Sequence, residues 1–215
     1  MRVVIVEDQA FIREFLRKIC QDLGMDVVAE ASDGQDALAA VFRLRPELLL
    51  LDLGLARTDG FQVIEALKHD APEIRVLVVS AHCEPYTVYR LEKLGVAGYV
   101  DKDSSTVSAL RCAVNAISAG NTYFSEKFRR QRLARLRDQQ SFDKILSRRE
   151  QEILRLIGLP MSDEEIAEML GVAAATVEKH RFNIMRKLGV HSTACLVRSA
   201  HEMGFTLPTG GSSLS

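Results

Sequence analysis

The sequence contains no apolar run long enough to cross a membrane. A spanning helix needs about 20 consecutive apolar residues, and no hydrophobic segment among these 215 residues approaches that length. The first residues also lack the basic stretch followed by an apolar core that marks a secretory signal. We therefore expect a cytoplasmic protein without a membrane partner. Cysteine is scarce, and its four residues form no Cys-x-x-Cys pair, which argues against a zinc site and a disulfide framework.

The small net charge of −1 is unevenly distributed along the chain. Residues 1–120 carry a net charge of −5, residues 121–146 carry +4, and residues 147–215 carry none. Blocks of different charge indicate separate units with separate partners. We therefore expect two folded domains joined by a basic linker.

Apolar strand patterns alternate with helical patterns through the first 120 residues. The predicted strands cover residues 3–6, 27–31, 48–52, 76–80 and 98–100. Strands that alternate with helices favour a parallel sheet with right-handed crossovers. The sequence therefore predicts an α/β domain with a doubly wound, five-stranded parallel sheet over residues 1–120.

The strand signals stop near residue 121. Residues 121–146 are rich in Arg and Gln and predict a partly helical, solvated linker. Residues 147–206 are helical in pattern, and Ser147 and Ser162 each begin a capping-box sequence. This stretch predicts a small all-α domain. Residues 207–215, with two glycines and three serines, predict a disordered tail.

Acidic residues follow two apolar strands of the predicted sheet. Asp52 closes a run of four leucines, and the pair Glu7 and Asp8 follows the first strand. The carboxyl ends of parallel strands meet at one edge, where open α/β sheets bind their ligands. Mg²⁺ prefers a few carboxylates together with water and phosphate oxygens. We therefore predict that Asp8 and Asp52 bind Mg²⁺ directly and that Glu7 acts through water.

Two further strand ends carry Ser80 and Lys102. A strand-end carboxylate such as Asp52 can act as a nucleophile and form an aspartyl phosphate. The transferred phosphoryl group then needs positive charge and hydrogen-bond donors. Lys102 can supply the ammonium group and Ser80 the hydroxyl. The pattern predicts phosphoryl chemistry with Asp52 as the acceptor.

These residues together resemble the receiver domain of bacterial response regulators. The resemblance covers residues 1–120 and rests on VED at 6–8, LLLLDLGLARTDG at 48–60, VSA at 79–81 and GYVDK at 98–102. It implies a flavodoxin-like fold and phosphorylation of Asp52 by a sensor histidine kinase or a small-molecule phosphodonor. It also implies a Mg²⁺ ligand in the backbone carbonyl of Gly54, and a switch formed by Ser80 and Tyr99.

Residues 164–188 show the pattern of a helix, a tight turn at Gly171 and a second helix. The second helix contains several basic or imidazole side chains and a single acid, Glu178. They are Lys179, His180, Arg181, Arg186 and Lys187. Its apolar residues recur at helical spacing and predict one buried face. A basic outer face after a short turn suits the DNA major groove and its flanking phosphates.

The wider region 147–204 resembles the LuxR-type DNA-binding domain through LSRREQEILRL, SDEEIAEMLGV and TVEKHRFNIMRKLGV. A receiver followed by this domain is the arrangement of NarL/FixJ-family transcription regulators. The resemblance implies that Lys179 and Arg181 face double-stranded DNA. It places a second group near phosphates or in structural hydrogen bonds: His180, Asn183, Arg186 and Lys187. Because the domain has no net charge, we expect a monomer to bind weakly and a homodimer to bind DNA.

Two alternatives remain open at the level of the sequence. A phosphatase of the haloacid dehalogenase type also uses a strand-end aspartate with magnesium, but it needs a second acid where this chain has Gly54. An interaction protein could instead be controlled by partner binding, independently of phosphate. The intact set of Glu7, Asp8, Asp52 and Lys102 argues against that second alternative. Apart from gaining and losing its own phosphoryl group, the protein is not expected to be an enzyme.

Overall fold

The computed structural model describes residues 1–56, 59–159 and 161–206. The chain divides into two compact units. The first contains residues 1–83 and 88–130, and the second contains residues 84–87 and 131–206. The tail predicted at 207–215 lies outside the described residues.

The first unit is built around a parallel sheet of six strands in the order β2-β1-β3-β4-β5-β6. The strands are β1 (Arg2–Val6), β2 (Asp26–Ala31), β3 (Leu48–Leu51), β4 (Arg75–Ser80), β5 (Gly98–Asp101) and β6 (Tyr123–Phe124). The predicted doubly wound α/β class is confirmed. The predicted count of five strands is wrong, because β6 pairs in parallel with β5. A strand of two residues is too short to show an alternating pattern.

Five helices follow the first five strands of the sheet. They are α1 (Ala10–Asp22), α2 (Gly34–Leu44), α3 (Gly60–Asp70), α4 (Pro85–Leu94) and α5 (Val107–Ser118). Residues of α1 and α5 join one hydrophobic cluster, and residues of α2, α3 and α4 join the other. The sheet therefore has a buried core on each face.

The leucine run of β3 lies at the centre of both cores. Leu49 and Leu51 belong to one cluster, whereas Leu48 and Leu50 belong to the other. Successive side chains of a strand point to opposite faces. A central parallel strand covered on both faces therefore needs the unbroken apolar sequence found here. This packing fixes Asp52, which follows directly, at the carboxyl edge of the sheet.

The segment after α5 is partly folded into the first unit. α6 (Glu126–Arg137) begins just after β6. Phe128 in its first turn is 1% exposed, with its ring centroid 4.7 Å from that of Phe124 and 5.2 Å from that of Tyr99. A solvated linker is therefore a wrong prediction for this turn. One buried aromatic residue among many charges produces no helical periodicity in the sequence.

The second unit contains helices only among its described residues. They are the later part of α6, α7 (Phe142–Ile145), α8 (Arg148–Ile157), α9 (Asp163–Leu170), α10 (Ala174–Leu188) and α11 (Thr193–Glu202). The two predicted capping boxes are confirmed at the starts of α8 and α9. No helix within the described ranges has the length and apolar character needed to cross a membrane.

We predict that Phe128→Ala lowers the free energy of unfolding by about 3–5 kcal/mol, the usual cost of removing a buried phenylalanine side chain. Leu133→Ala on the same helix should change it by less than about 0.5 kcal/mol, because Leu133 is half exposed. Urea unfolding followed by circular dichroism measures both. Similar losses in the two variants would contradict the packing of the first turn of α6.

Candidate functional site

Three carboxylates converge at the carboxyl edge of the sheet. β1 and β3 are neighbours, and the backbone N–H of Asp52 donates to the carbonyl of Val6 over 2.9 Å. Side-chain oxygens of Glu7, Asp8 and Asp52 all lie within 4.8 Å of one another. The structure thus brings together the acidic residues that were predicted to share one edge.

Lys102 follows β5 and extends into this cluster. Its Nζ lies 2.6 Å from Glu7 Oε2 and 2.8 Å from Asp52 Oδ2. Burial disfavours the charged ammonium group, but the charges and hydrogen bonds of Asp52 and Glu7 outweigh this effect and raise the pKa of Lys102. Lys102 therefore remains a fixed positive charge beside the predicted phosphoacceptor.

Glu7 is strongly affected by burial. Its side chain is fully buried, and the resulting desolvation raises its pKa to about 6 even though Lys102 opposes the shift. The neighbouring charge of Asp52 raises the pKa further. Binding of a cation favours the ionised carboxylate, so cation and proton compete for this group.

The donor atoms of the cluster fit Mg²⁺, which prefers hard oxygen ligands. Asp8 Oδ1 is buried and has no hydrogen-bond partner within the part of the chain that the structure describes. A buried carboxylate oxygen without a partner carries a desolvation cost that a bound cation would offset. Gly54 lies beside the cluster, because a Cβ atom there would stand 3.8 Å from Asp52 Oδ2 and 3.3 Å from His82 Nε2.

Ser80 and Tyr99 are buried on the neighbouring strands β4 and β5. The Oγ atom of Ser80 accepts a hydrogen bond of 3.4 Å from the backbone N–H of His82. The hydroxyl of Tyr99 donates to the carbonyl oxygens of Ser80 and His82, at 2.8 and 2.9 Å. Tyr99 therefore contacts the backbone segment that carries the Ser80 hydroxyl.

The first turn of α6 also contacts β5, at Asp101. Asp101 is fully buried, and its Oδ1 lies 2.7 Å from the Nζ atom of Lys127. Burial opposes ionisation of Asp101, but hydrogen bonds from Lys127 and Ser104 lower its pKa. Sequence analysis missed this ion pair, because its partners are separated by 26 residues, one in the predicted α/β domain and the other in the predicted linker.

The predicted helix-turn-helix is present as α9, a turn and α10. Gly171 ends α9 with φ +64°, a conformation that glycine adopts without strain. Val177 and Ile184 are the fully buried residues of α10. Ala173 provides no side-chain cap to the helix, as its lack of a hydrogen-bonding group predicts. One side of α10 therefore packs in the domain, and the opposite side faces outward.

Three of the predicted DNA-binding residues share the outward side of α10. Lys179 and Arg186 are exposed, and Asn183 is half-buried. Their positions recur at intervals of three and four residues, so the three side chains lie along one face. The Nη2 atom of Arg186 donates to Asn183 Oδ1 over 3.5 Å, a long contact that leaves the guanidinium accessible.

The other three predicted residues contact the protein itself. Arg181 forms an ion pair with Asp163 of α9, and Lys187 Nζ lies 2.7 Å from Glu150 Oε2 of α8. The Nδ1 atom of His180 is buried. The DNA contact expected of Arg181 stays a prediction. Helical spacing places Arg181 near the buried side of α10, where an acidic partner from α9 is available.

Sequence analysis missed Phe182 on the outward side of α10. Its side chain is 67% exposed. Sequence analysis considered only the basic, imidazole and amide side chains of this helix as ligands for DNA, so it did not consider a phenylalanine. Its spacing from Val177, about 140° around the axis at 100° per residue, was the signal that could have identified it as outward-facing.

Comparisons with known proteins match two stretches of the chain to known families. Residues 3–115 match the family model described as "Response regulator receiver domain", and residues 144–200 match "Bacterial regulatory proteins, luxR family". Transcriptional regulatory protein MctR of Rhizobium johnstonii is 31% identical over 98% of this chain and 97% of its own length. Nitrate/nitrite response regulator protein NarP of Escherichia coli is 31% identical over 89% of this chain and 90% of its own.

A solved structure of a relative covers most of this chain. RcsB from Salmonella enterica serovar Typhimurium, bound to a promoter in the presence of the phosphomimetic BeF3−, has a TM-score of 0.66 and 25% identity, covering 92% of this chain and 96% of that one. The chain belongs to the NarL/FixJ-type response regulators. It is a DNA-binding transcription regulator of a two-component system, and its receiver domain is the first unit.

The pKa of Glu7 predicts a pH dependence of stability in metal-free protein. Because burial raises this pKa from 4.5 to about 6, the folded protein binds more protons than the unfolded chain between these values. Stability from this group is therefore present below pH 4.5 and is lost as pH rises through 6, by about 2 kcal/mol in total.

Glu7→Gln should lack this fall, whereas a variant of the exposed Asp36, Asp36→Asn, should retain it. Urea unfolding in the presence of a chelator, repeated across the pH window, measures the difference. Parallel stability profiles in the wild type and Glu7→Gln would contradict the raised pKa.

Proposed function

We propose that Asp52 accepts a phosphoryl group from a sensor histidine kinase or a small-molecule phosphodonor, and that its phosphorylation controls sequence-specific DNA binding. The observation that carries this proposal is the convergence of Glu7, Asp8, Asp52 and Lys102 at one sheet edge. The RcsB relative offers further support, because its structure contains a promoter together with a phosphomimetic.

In the proposed transfer, a carboxylate oxygen of Asp52 attacks the phosphorus atom. The bond to the leaving group of the donor breaks, and the leaving group keeps the electron pair. Lys102, 2.8 Å from Asp52 Oδ2, balances the charge of the phosphoryl oxygens, and the Ser80 hydroxyl donates to one of them. Glu7, Asp8, Asp52 and the carbonyl of Gly54 would hold Mg²⁺, which supplies further positive charge.

Loss of the phosphoryl group by hydrolysis returns the Asp52 carboxylate. The donor's leaving group is released in the transfer and inorganic phosphate in the hydrolysis, and beyond these two steps the protein is not proposed to be an enzyme. The haloacid dehalogenase alternative needs an acidic side chain at position 54, and a side chain there would meet His82 Nε2 at 3.3 Å from its Cβ atom. Both the identity of Gly54 and the space around it disfavour that alternative.

The proposed signal leaves the phosphorylation site through β5 and α6. Ser80 and Tyr99 form the switch, since the Tyr99 hydroxyl contacts the backbone that carries Ser80. The ring of Tyr99 packs on Phe128, and Lys127 pairs with Asp101 on the same strand. A rearrangement around Ser80 that moves Tyr99 would therefore change the packing of the first turn of α6. This helix continues into the chain of the second unit.

DNA binding is proposed to use the outward side of α10. Lys179 and Arg186 would contact phosphates and Asn183 a phosphate or a base, while the ion pairs of Arg181 and Lys187 hold α10 against α9 and α8. Because the domain has no net charge, we propose that a homodimer on two half-sites supplies the phosphate contacts that one copy lacks. A protein that regulates transcription in a bacterium would act in the cytoplasm.

Helix α11 offers little exposed apolar surface for that homodimer. The apolar residues of α11 are Ala194, Leu196, Val197 and Ala200. Leu196 and Ala200 are fully buried in the domain, which leaves Ala194 exposed and Val197 half-buried. A pair of small side chains offers little apolar area for a stable interface. The contacts between the two copies therefore need additional residues outside α11.

We predict that Asp52→Asn gains no phosphoryl mass when incubated with acetyl phosphate and Mg²⁺, because the nucleophilic carboxylate is gone. Wild type and the control Asp36→Asn, which removes an exposed carboxylate, should both gain one phosphoryl group. Intact-mass spectrometry reads the result. A mass gain in Asp52→Asn would assign the phosphoryl group to another residue. No gain in the wild type would favour control by partner binding.

We predict that Lys179→Ala and Arg186→Ala each weaken DNA binding and reduce its salt dependence. Loss of one phosphate contact lowers the slope of log K against log salt by about 0.9. Lys68→Ala and Lys93→Ala remove exposed charges from α3 and α4 and should leave the slope unchanged. Binding isotherms at several salt concentrations measure it. Unchanged slopes in both α10 variants would place the DNA-binding surface elsewhere.

A further inference from the structure

The outward side of α10 carries one large apolar side chain among its polar ones. Phe182 is 67% exposed, although α10 has a well-formed buried side that contains Val177 and Ile184. Most of the phenylalanine ring is therefore left in water, where its apolar surface is unfavourable. A single exposed apolar residue is common on protein surfaces. Phe182 differs from such a residue because of where it lies relative to the cations of the same helix.

Phe182 lies between Lys179 and Arg186, two exposed cations of α10. Lys179 precedes it by three residues and Arg186 follows it by four, so all three side chains share one helix face. At 1.5 Å per residue, the two cations are separated by about 10 Å along the axis. This span is close to the width of the DNA major groove, about 12 Å. If Lys179 and Arg186 contact phosphates on the two sides of the groove, the ring of Phe182 lies near the middle of the groove.

The chemistry of the phenyl ring limits what it can recognise there. Phenylalanine neither donates nor accepts conventional hydrogen bonds, so it cannot pair with the polar edges of guanine, cytosine or adenine. Thymine presents an apolar group in the major groove, its 5-methyl. We propose that Phe182 is a specificity-determining residue of this protein, which contacts thymine 5-methyl groups in its binding site. This inference rests on the proposed use of the outward side of α10 for DNA.

The surroundings of Phe182 favour DNA over a protein partner. The centres of protein–protein interfaces are depleted of charged residues. Phe182 instead has the charged and exposed residues Glu178, Lys179 and Arg186 on its helix. Met169 on α9 is another exposed apolar residue of the unit, at 60%, and it belongs to a different helix. It therefore serves as a matched control for a general effect of exposed apolar surface.

The test uses full-length protein and a duplex selected by the wild type from random sequences. Each thymine of that duplex is replaced in turn by uracil, which lacks only the 5-methyl group, and the dissociation constant is measured at one fixed salt concentration. We expect wild type and Met169→Ala to lose about fourfold in affinity at one or a few thymines, the effect of one buried methyl-sized group. Phe182→Ala should bind thymine and uracil duplexes equally at those positions.

Three results would overturn the inference. A uracil penalty of the same size in Phe182→Ala and wild type would assign the methyl contact to another residue. If the wild type bound a specific sequence but showed no uracil penalty at any position, the role of Phe182 would be wrong while the proposed function would stand. If the wild type selected no sequence at all, the proposed function would fail together with that role. Sedimentation of the wild type and of Phe182→Ala tests whether the ring contacts another copy of the protein. If Phe182→Ala loses oligomers but keeps the uracil penalty, the ring belongs to a protein–protein contact.

Discussion

The ion pairs of Lys102 with Glu7 and Asp52 are the interaction on which the first unit depends. Buried charges are costly unless they are paired, and this sheet edge concentrates three carboxylates within 4.8 Å. One ammonium group at 2.6 and 2.8 Å allows two of them to remain buried. The pairing is incomplete, since the pKa of Glu7 remains raised to about 6 and Asp8 Oδ1 lacks a partner among the described residues. The remaining negative charge is the charge that the proposed Mg²⁺ would balance.

In the proposed function the signal leaves this edge along β5, which is an interior strand of the same sheet. β6 covers its outer side, so Tyr99 and Asp101 are buried and each meets a residue from the first turn of α6. Phe128 packs on the ring of Tyr99, and Lys127 pairs with Asp101. Lys102 follows Asp101 directly in sequence. Lys102 and Ser80 therefore lie beside Tyr99 and Asp101, the two β5 residues that contact the start of α6.

Internal ion pairs also explain how a DNA-binding unit can have no net charge. Arg181 is paired with Asp163, and Lys187 with Glu150, whose pKa is lowered by that partner and by Ser147 in spite of burial. These pairs join α10 to α9 and to α8 and do not add to the external field. Lys179 and Arg186 are exposed on the outward face of α10, and affinity for phosphates rises with the number of such contacts. In the proposed function, binding by this unit uses the side chains on the outward face of α10.

Features that depend on neighbouring residues were determined by the sequence alone. The four leucines of β3, the acids that follow apolar strands, the serine caps and the glycine turn are local patterns, and local backbone preference or burial period fixes each one. The order of such patterns was enough to predict the α/β class and the meeting of the acids at one edge. The structure alone showed β6, the burial of Phe128, the pairing of Arg181 and the exposure of Phe182. The partner of Arg181 is 18 residues away, and β6 is too short to show a period. Such contacts depend on which surfaces meet after folding, and a residue's own neighbours in the chain do not specify that meeting.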